Sequence, residues 1–184
     1  GATGSAPRYA LLESVRQYAQ ELLLVHGERE LTQARHGVYF SQLAAEIRQV
    51  GEGEATWSQR IEQEYPNYIA ALEFSMARVA TVQALTIACA LWPFWELRSM
   101  YREGLTWLQR VLVLLDEETP ADLAADVLHG AGRLSMDISE YTAADTYLRE
   151  FLRLARLTGS LSTVADAVGS VGVLAYYRRD YDAA

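Results

Sequence analysis

The side chains that most often carry chemistry are few in this chain and lie far apart. Its histidines are His26, His36 and His129, and none has a second metal ligand four residues away on a helix, so the pattern predicts no metal site. Gly51-Glu52-Gly53 lacks the Gly-Lys-Ser/Thr ending that supplies charge and a magnesium ligand in a phosphate-binding loop, and we interpret it as a turn. We therefore expect no cofactor.

The cysteine and the acidic residues do not form a catalytic set either. Cys89 is the only cysteine and lies in the apolar run from Ala84 to Trp95, which favours a buried, inert thiol and excludes an intrachain disulfide. Glu62, Glu64 and the acidic turn at 116–118 are typical of solvated helix starts and turns. Because no nucleophile, base and orienting group converge, we predict that the chain is not an enzyme.

The bulk composition restricts the class of protein. The chain has 184 residues, of which 51% are hydrophobic, so it can bury a core. Its formal charge of −8 argues against nucleic-acid binding, which depends on clustered cations that neutralise phosphates. The N-terminus does not resemble a signal peptide, and the longest apolar run is too short to span a bilayer. We expect a cytoplasmic protein that binds neither nucleic acid nor membrane through this segment.

A weak repeat with a period of forty residues indicates the elements that position the remaining side chains. Residues 140–144, Glu-Tyr-Thr-Ala-Ala, return at 180–184 as Asp-Tyr-Asp-Ala-Ala, and Gly132 returns as Gly172. Forty residues before Tyr141, the equivalent position is Tyr101. Because the period is filled with helical patterning, it predicts an all-α fold, a right-handed superhelix of antiparallel helix pairs that bury their apolar faces against their neighbours.

The hydrophobic periodicity divides the chain into three regions. Residues 1–25 read as a tag or flexible end (Gly1 to Ser5) and a leading helix, 26–80 as irregular helical hairpins, and 81–184 as repeats at 81–120, 121–160 and 161–184. Pro66 is expected to open a new helix after a short one that begins near Trp57, since proline is tolerated in a first turn. Pro93 is expected to bend its helix without ending it.

The last repeat breaks off a few residues into its second helix, which favours a fragment of a longer protein. We expect five residues of the preceding helix to face the missing one: Val164, Val168, Val171, Leu174 and Ala175. Burying each large side chain of such a set stabilises by about 1.5–3 kcal/mol. The C-terminal end is therefore predicted to self-associate or to pack on a neighbouring molecule.

The repeat resembles the tetratricopeptide helix-turn-helix unit. In the segment 125–157, Leu128 stands at the first large apolar position, Ala131-Gly132 at the Leu-Gly pair, Tyr141 at the aromatic after the turn and Ala144 at the small position. The resemblance implies a tetratricopeptide-like α-solenoid. The unit before it departs from the pattern, because Trp92 occupies a small-residue position and Pro93 follows it.

The N-terminal half resembles a more specific family. The segments 8–19 (RYALLESVRQYA) and 35–40 (RHGVYF), and Trp57 with residues 62–72, are similar to bacterial signal-transducing ATPase regulators of the large LuxR and streptomycete-antibiotic types. In such proteins these residues join a nucleotide-binding and winged-helix region to a tetratricopeptide array. The resemblance implies that residues before about Val25 are the tail of the winged helix and that the rest is a sensor arm. The ATPase and DNA-reading motifs themselves are absent from this sequence.

The resemblance also implies a binding groove on the first helix of each pair. The positions that it transfers to this chain are Asp126, His129, Arg133, Met136, Asp137, Asp166, Val173, Tyr176 and Tyr177, with Cys89, Glu96 and Leu97 from the poorer unit. Such a set mixes aromatic surface with an arginine able to hold a carboxylate. The alternative is a solvated face with local Asp–Arg pairs. A further aromatic set reads as core or, alternatively, as a ligand cage: Trp92, Phe94, Trp95, Tyr101 and Trp107.

Two functions follow as hypotheses. The first is a sensor arm of a multidomain bacterial transcriptional regulator, which binds a protein, a peptide or a small effector in the groove and catalyses nothing itself. The second is a structural oligomerisation scaffold without a specific ligand groove.

Overall fold

Eight α-helices and no β-strand make up the described part of the chain, residues 12–50 and 54–178, in a computed structural model. The helices are α1 (Glu13–Val25), α2 (Arg29–Val50), α3 (Glu54–Ala77), α4 (Thr81–Leu97), α5 (Tyr101–Leu112), α6 (Ala121–Asp137), α7 (Tyr141–Thr158) and α8 (Leu161–Arg178). The all-α prediction is confirmed. The expected tag at 1–5, the turn at 51–53 and the second copy of the repeat at 180–184 lie outside the described residues.

The helices from α4 onward follow a regular spacing. Their first residues are Thr81, Tyr101, Ala121, Tyr141 and Leu161, so a new helix begins every twentieth residue. Two helices therefore occupy forty residues, which is the period of the sequence repeat. Residues 81, 121 and 161, where the sequence repeats are expected to begin, are the first residues of α4, α6 and α8.

The turns repeat with the helices. Ser99 and Ser139, forty residues apart, both adopt positive φ (55° and 62°) at the ends of α4 and α6. The next amide in each case bonds back across the turn, Met100 N to Trp95 O and Glu140 N to Ser135 O, both at 2.8 Å. This is the Schellman closure, which satisfies carbonyls at a helix end and redirects the chain. The same closure at both turns sends α5 and α7 back along the preceding helix.

The helices pack against the next helix in sequence and, for α2, α4 and α6, also against the next even-numbered helix. From α2 to α8 each helix packs against the next, and α2 packs against α4 as α4 packs against α6. The contact between α6 and α8 is lighter, and α1 touches α2 only lightly. The even-numbered helices α2, α4 and α6 therefore form a row, and this row carries the candidate site.

The core runs through the helices as two adjoining clusters. The first joins α2 to α6 and contains Trp95 and Tyr68, both fully buried, and the second joins α6, α7 and α8 around Leu148 and Phe151. The positions of the aromatic set agree with its interpretation as core. Phe94 and Trp95 are buried, and the other three rings pack against the first cluster: Trp92, Tyr101 and Trp107. Trp92 also lines a cavity.

The expected break at Pro66 is wrong, because α3 continues through it from Glu54 to Ala77. Proline leaves the carbonyl of Glu62 without a donor, but Pro66 is exposed, so water can bond that oxygen. Ile61 on one side and Tyr68 on the other are fully buried, and their burial holds both halves in one helix. The helix α4 likewise continues through Pro93, as predicted.

The expected exposure of the last helix is only partly correct. Leu174 and Ala175 are buried, and Val164 and Val171 pack against the second core cluster. Val168 remains 52% exposed. The helix α8 has therefore turned its main apolar stripe toward α6 and α7. No helix among residues 12–50 and 54–178 combines the length and apolarity that a bilayer crossing needs.

Candidate functional site

A cleft lies on the row of even-numbered helices, where the end of α2 approaches the first half of α6 across the middle of α4. Arg48 of α2 reaches past α4 and forms an ion pair with Asp126 of α6. The same carboxylate accepts a hydrogen bond of 3.0 Å from the indole Nε1 of Trp92 on α4. Three helices therefore meet at Asp126. Because Arg48 and Asp126 line the cavities on both sides of them, their ion pair divides the cleft into two pockets.

The first compartment, which we call the tryptophan pocket, has a volume of about 310 Å³. Apart from the ion pair, its lining is apolar: Ile47, Trp57, Cys89, Ala90, Trp92 and Pro93. Burial raises the pKa of the Cys89 thiol well above its usual value, and the nearby Asp126 carboxylate acts in the same direction. The thiol is therefore protonated at neutral pH and is a wall of the pocket, in agreement with the prediction of an inert cysteine.

The second compartment, which we call the carboxylate pocket, has a volume of about 420 Å³. Its lining comprises the ion pair with Asp122 and Asp166, the hydroxyls of Thr158, Ser160 and Thr163, and the rings of His129 and Phe151. The carboxylates come from α6 and α8, and the hydroxyls come from the junction of α7 with α8 and from the first turn of α8. Three carboxylates thus face the single arginine of this lining, and the pocket has a negative excess.

His129 forms an aromatic wall of the carboxylate pocket. Its imidazole stacks on Phe151, with ring centroids 4.6 Å apart and planes inclined by 14°, and the Trp92 ring lies 5.3 Å away. Nε2 lies 3.1 Å from the hydroxyl of Ser170 on α8. Burial lowers the pKa of His129, which outweighs the opposing effect of Asp126. The imidazole is therefore neutral at pH 7 and adds no positive charge to the cleft.

The structure brings four of the predicted groove residues into the cleft and places the others elsewhere. Asp126, His129 and Asp166 share the carboxylate pocket, and Cys89 lines the tryptophan pocket. Met136 is only 8% exposed and belongs to the second core cluster, so it is not part of an open groove. The resemblance places Met136 in the groove, whereas in the structure it is buried in the cluster that joins α6, α7 and α8.

Five of the remaining predicted groove residues form two separate groups, and the other two, Leu97 and Val173, are exposed. Arg133 pairs with Glu96 of α4, with Nη2 2.8 Å from Oε1, beside the exposed carboxyl of Asp137. Burial raises the pKa of Asp137, and the Glu96 charge adds to the effect. Tyr176 and Tyr177 are exposed at the end of α8, and Tyr177 stacks on Tyr141 with centroids 6.3 Å apart. At this end of the predicted groove Arg133 is thus engaged in an ion pair with Glu96, and its role in binding stays a prediction.

Sequence reasoning missed half of the cleft. It did not place Arg48 or Trp57 in the site, because α2 and α3 were assigned to the irregular region before the repeats. Nor did it include Asp122 or the hydroxyls of Thr158, Ser160 and Thr163. A signal was present in the small residues 88–90 of α4, which leave room for a long side chain from α2 to cross toward α6.

A larger cavity, of about 690 Å³, lies between α1, α2 and α3 and is crossed by the ion pair of Arg78 with Glu30. It is a shallow groove beside a lightly packed helix, and none of the predicted groove residues lines it. Within residues 12–50 and 54–178, no three side chains of His, Cys, Asp or Glu are arranged to hold a metal ion.

Comparison with known proteins finds relatives for part of the chain. Three proteins are each 38% identical to it over 106 residues, which is 57% of its length. They are provisionally named HTH-type transcriptional regulators, from Mycobacterium bovis (strain ATCC BAA-935 / AF2122/97) and from the Mycobacterium tuberculosis strains CDC 1551 / Oshkosh and H37Rv. The match spans only 12% of each relative's length. No protein-family profile matches the chain, and no solved structure does.

Proposed function

We propose that this chain is the binding arm of a multidomain bacterial transcriptional regulator, and that it senses a protein, a peptide or a small effector in the cleft. The regulator role is supported by relatives that are named HTH-type transcriptional regulators and are about eight times longer than the matching segment. A tetratricopeptide-like solenoid is supported by the twenty-residue spacing of the helices and by their alternating packing. Arrays of this kind expose surfaces for recognition.

The observation that carries the proposal is that a single cleft is lined by residues from α2 to α8. Arg48 and Asp166 lie in one pocket although more than a hundred residues separate them in sequence. A ligand in this pocket would contact α2 and α8 at once. If it binds one spacing of the helices more tightly than another, it shifts the population toward that spacing and transmits the event to neighbouring domains.

The experiment is a charge reversal in the intact regulator. Asp166→Arg places a cation in the carboxylate pocket within reach of Asp122 and Asp126, and because Asp166 is exposed the fold should tolerate it. We expect the melting temperature to stay near that of the wild type while the effector-dependent change in transcription of a reporter promoter is largely lost. The matched control is Glu117→Arg, the same charge change on an exposed turn outside the cleft. An unchanged response in the Asp166 variant would contradict the proposal.

An oligomerisation scaffold is the second candidate, and one observation favours it. The helix α8 exposes several large apolar side chains, among them Leu161 (87%), Val168 (52%) and Tyr176 (65%). An apolar surface of this kind often marks a protein–protein interface. On this hypothesis, copies of the protein join through α8 and the cleft has no ligand of its own.

A further inference from the structure

We infer that the ligand of the cleft is an organic cation joined to an apolar group, with its ammonium or guanidinium in the carboxylate pocket and its apolar part in the tryptophan pocket. The inference rests on the proposed function, since it names the ligand class of the same cleft. Two sources share this chemistry, a free aryl-alkyl amine and a peptide that carries Lys or Arg beside a large apolar residue.

The charge balance of the carboxylate pocket selects a cation. Asp126 is already neutralised by Arg48, whereas Asp122 and Asp166 are exposed and have no ion-pair partner in the part of the chain that the structure describes. His129 does not offset them, because burial keeps it neutral. An anion would meet two uncompensated carboxylates at short range, and a cation would be attracted by both.

Hydrogen-bond acceptors surround the same space. Thr163 donates to the hydroxyl of Ser160 at 2.9 Å, and Thr158 donates to the carbonyl of Ala155 at 2.8 Å, so their protons are used within the protein. A hydroxyl whose proton is engaged still accepts through its lone pairs. Ammonium and guanidinium groups carry only donors, three and five respectively. The hydroxyl oxygens of Thr158 and Thr163 therefore offer acceptors to a group that carries only donors.

The tryptophan pocket sets the apolar half of the ligand. The indole Nε1 of Trp92 donates its hydrogen bond to Asp126, so the rest of the ring presents carbon surface to the pocket. Trp57 and Pro93 add to this apolar surface. A space of about 310 Å³ is the size of a small-ligand site and accommodates an aromatic ring. Because Arg48 and Asp126 line both pockets, a ring in the tryptophan pocket that carries a short alkyl chain would direct its cation toward Asp126.

Arg48 then acts as an internal competitor. Its guanidinium is partly exposed and occupies the acceptor that a ligand cation would use, while Trp92 keeps Asp126 in place whether Arg48 is bound or not. Removing the arginine should therefore strengthen cation binding and not weaken it. An anion site would give the opposite result, because Arg48 would be its principal attraction.

The test is an NMR titration of the chain with matched probes. Phenethylamine and 3-phenylpropionate share a ring and differ in charge, and acetyl-Phe-Lys-amide and acetyl-Phe-Glu-amide form the peptide pair. We expect amide shifts around the cleft and affinity for the cationic probe about tenfold above its acidic partner, a difference of about 1.4 kcal/mol. Whichever pair shows the larger preference identifies the source as amine or peptide.

Three variants complete the design. Asp122→Asn with Asp166→Asn should weaken the cationic probe about tenfold, Arg48→Met should strengthen it about fivefold, and Glu117→Gln should change nothing. Equal affinity for the two charges, preference for the acid, weaker cation binding by Arg48→Met, or no binding to the folded wild type would each overturn the inference. If the probes show no preference for the cation but Asp166→Arg still abolishes the effector response of the intact regulator, the proposed function stands and only the ligand class is wrong. Cation binding without that effect would remove the proposed function alone.

Discussion

At the scale of single residues, Val79 is a β-branched residue held in a left-handed backbone conformation, which such side chains disfavour. It ends α3 with φ of +53°, and Ala80 N bonds across it to Ser75 O at 2.8 Å, as in the other Schellman turns. A left-handed conformation costs an L-residue about 1–2 kcal/mol, and a β-branched one is a clear outlier there. The side chain is 66% exposed and contributes little burial in return.

Val79→Gly should therefore stabilise the protein by about 0.5–1 kcal/mol, since relief of the strain exceeds the entropy that glycine loses on folding. For a chain of this size the melting temperature should rise by about 2 °C. The control is Val113→Gly, because Val113 is 83% exposed but has ordinary helical φ of −66°. That control should lower the melting temperature, and a fall in both variants would show that the turn at Val79 is not strained.

His129 couples the cleft to pH. Burial lowers the pKa of His129 in the folded chain below its ordinary value of 6.5. At a pH between the folded pKa and the unfolded pKa, the unfolded chain therefore binds a proton at this residue and the folded chain does not. Stability is therefore complete above about pH 6.5 and falls as the pH is lowered toward the folded pKa. His129→Gln, which can still hydrogen-bond to Ser170, should reduce the fall in melting temperature between pH 7 and pH 5, and a smaller fall should remain because burial also lowers the pKa of His36. The control is His26→Gln, on an exposed turn, which should keep the wild-type dependence of the melting temperature on pH. If the melting temperature of His129→Gln falls as steeply as that of the wild type, other groups cause the loss of stability in acid.

At the scale of the helices, small residues set how closely neighbours pack. A Cβ at Gly132 would lie 2.5 Å from Cδ2 of Leu148, a side chain that is fully buried in α7. A Cβ at Gly172, forty residues later in α8, would meet no atom within 4 Å. The two glycines thus hold equivalent places in the sequence repeat, and only the first lies in a close helix contact among the described residues.

The two positions form a matched pair for mutation. Gly132→Ala should destabilise by about 1–2 kcal/mol, because overpacking of Leu148 exceeds the gain in helix propensity. Gly172→Ala should be neutral or stabilise by up to about 1 kcal/mol, since only the propensity changes. Urea denaturation of both variants measures the difference. Equal effects would mean that α6 and α7 are not held together by this contact.

The helices themselves were largely predictable, because their boundaries depend on local chemistry. The connector Thr158-Gly159-Ser160 has φ of 71° at Gly159, and glycine there ends α7 where the sequence indicates. The break at Pro66 was predicted wrongly, since the burial of Tyr68 and Ile61 that holds α3 together is a tertiary effect. Tertiary packing routinely overrides a local propensity of about 3 kcal/mol.

At the scale of the whole molecule, the cleft was only half predictable. Asp126, His129 and Asp166 lie on the repeats, at positions that the resemblance to the tetratricopeptide unit assigns to the groove. Arg48 arrives from α2, and its contact with Asp126 depends on how α2 packs against α4. No local pattern encodes that packing, because the forty-residue register does not extend to the N-terminal helices.

Self-association is the last property that the assembled molecule predicts. The exposed apolar residues of α8 lie at the end of the described chain, beside the open surface around Gly172. Covering two or three of them would stabilise by about 1.5–3 kcal/mol for each large side chain, enough to favour association at high concentration. We expect sedimentation equilibrium to show dimers that Val168→Asp dissociates. Val113→Asp changes an equally apolar and more exposed position in the turn after α5, and it should leave the dimers intact. A strict monomer in the wild type would remove the scaffold hypothesis and leave the cleft as the functional surface of the chain.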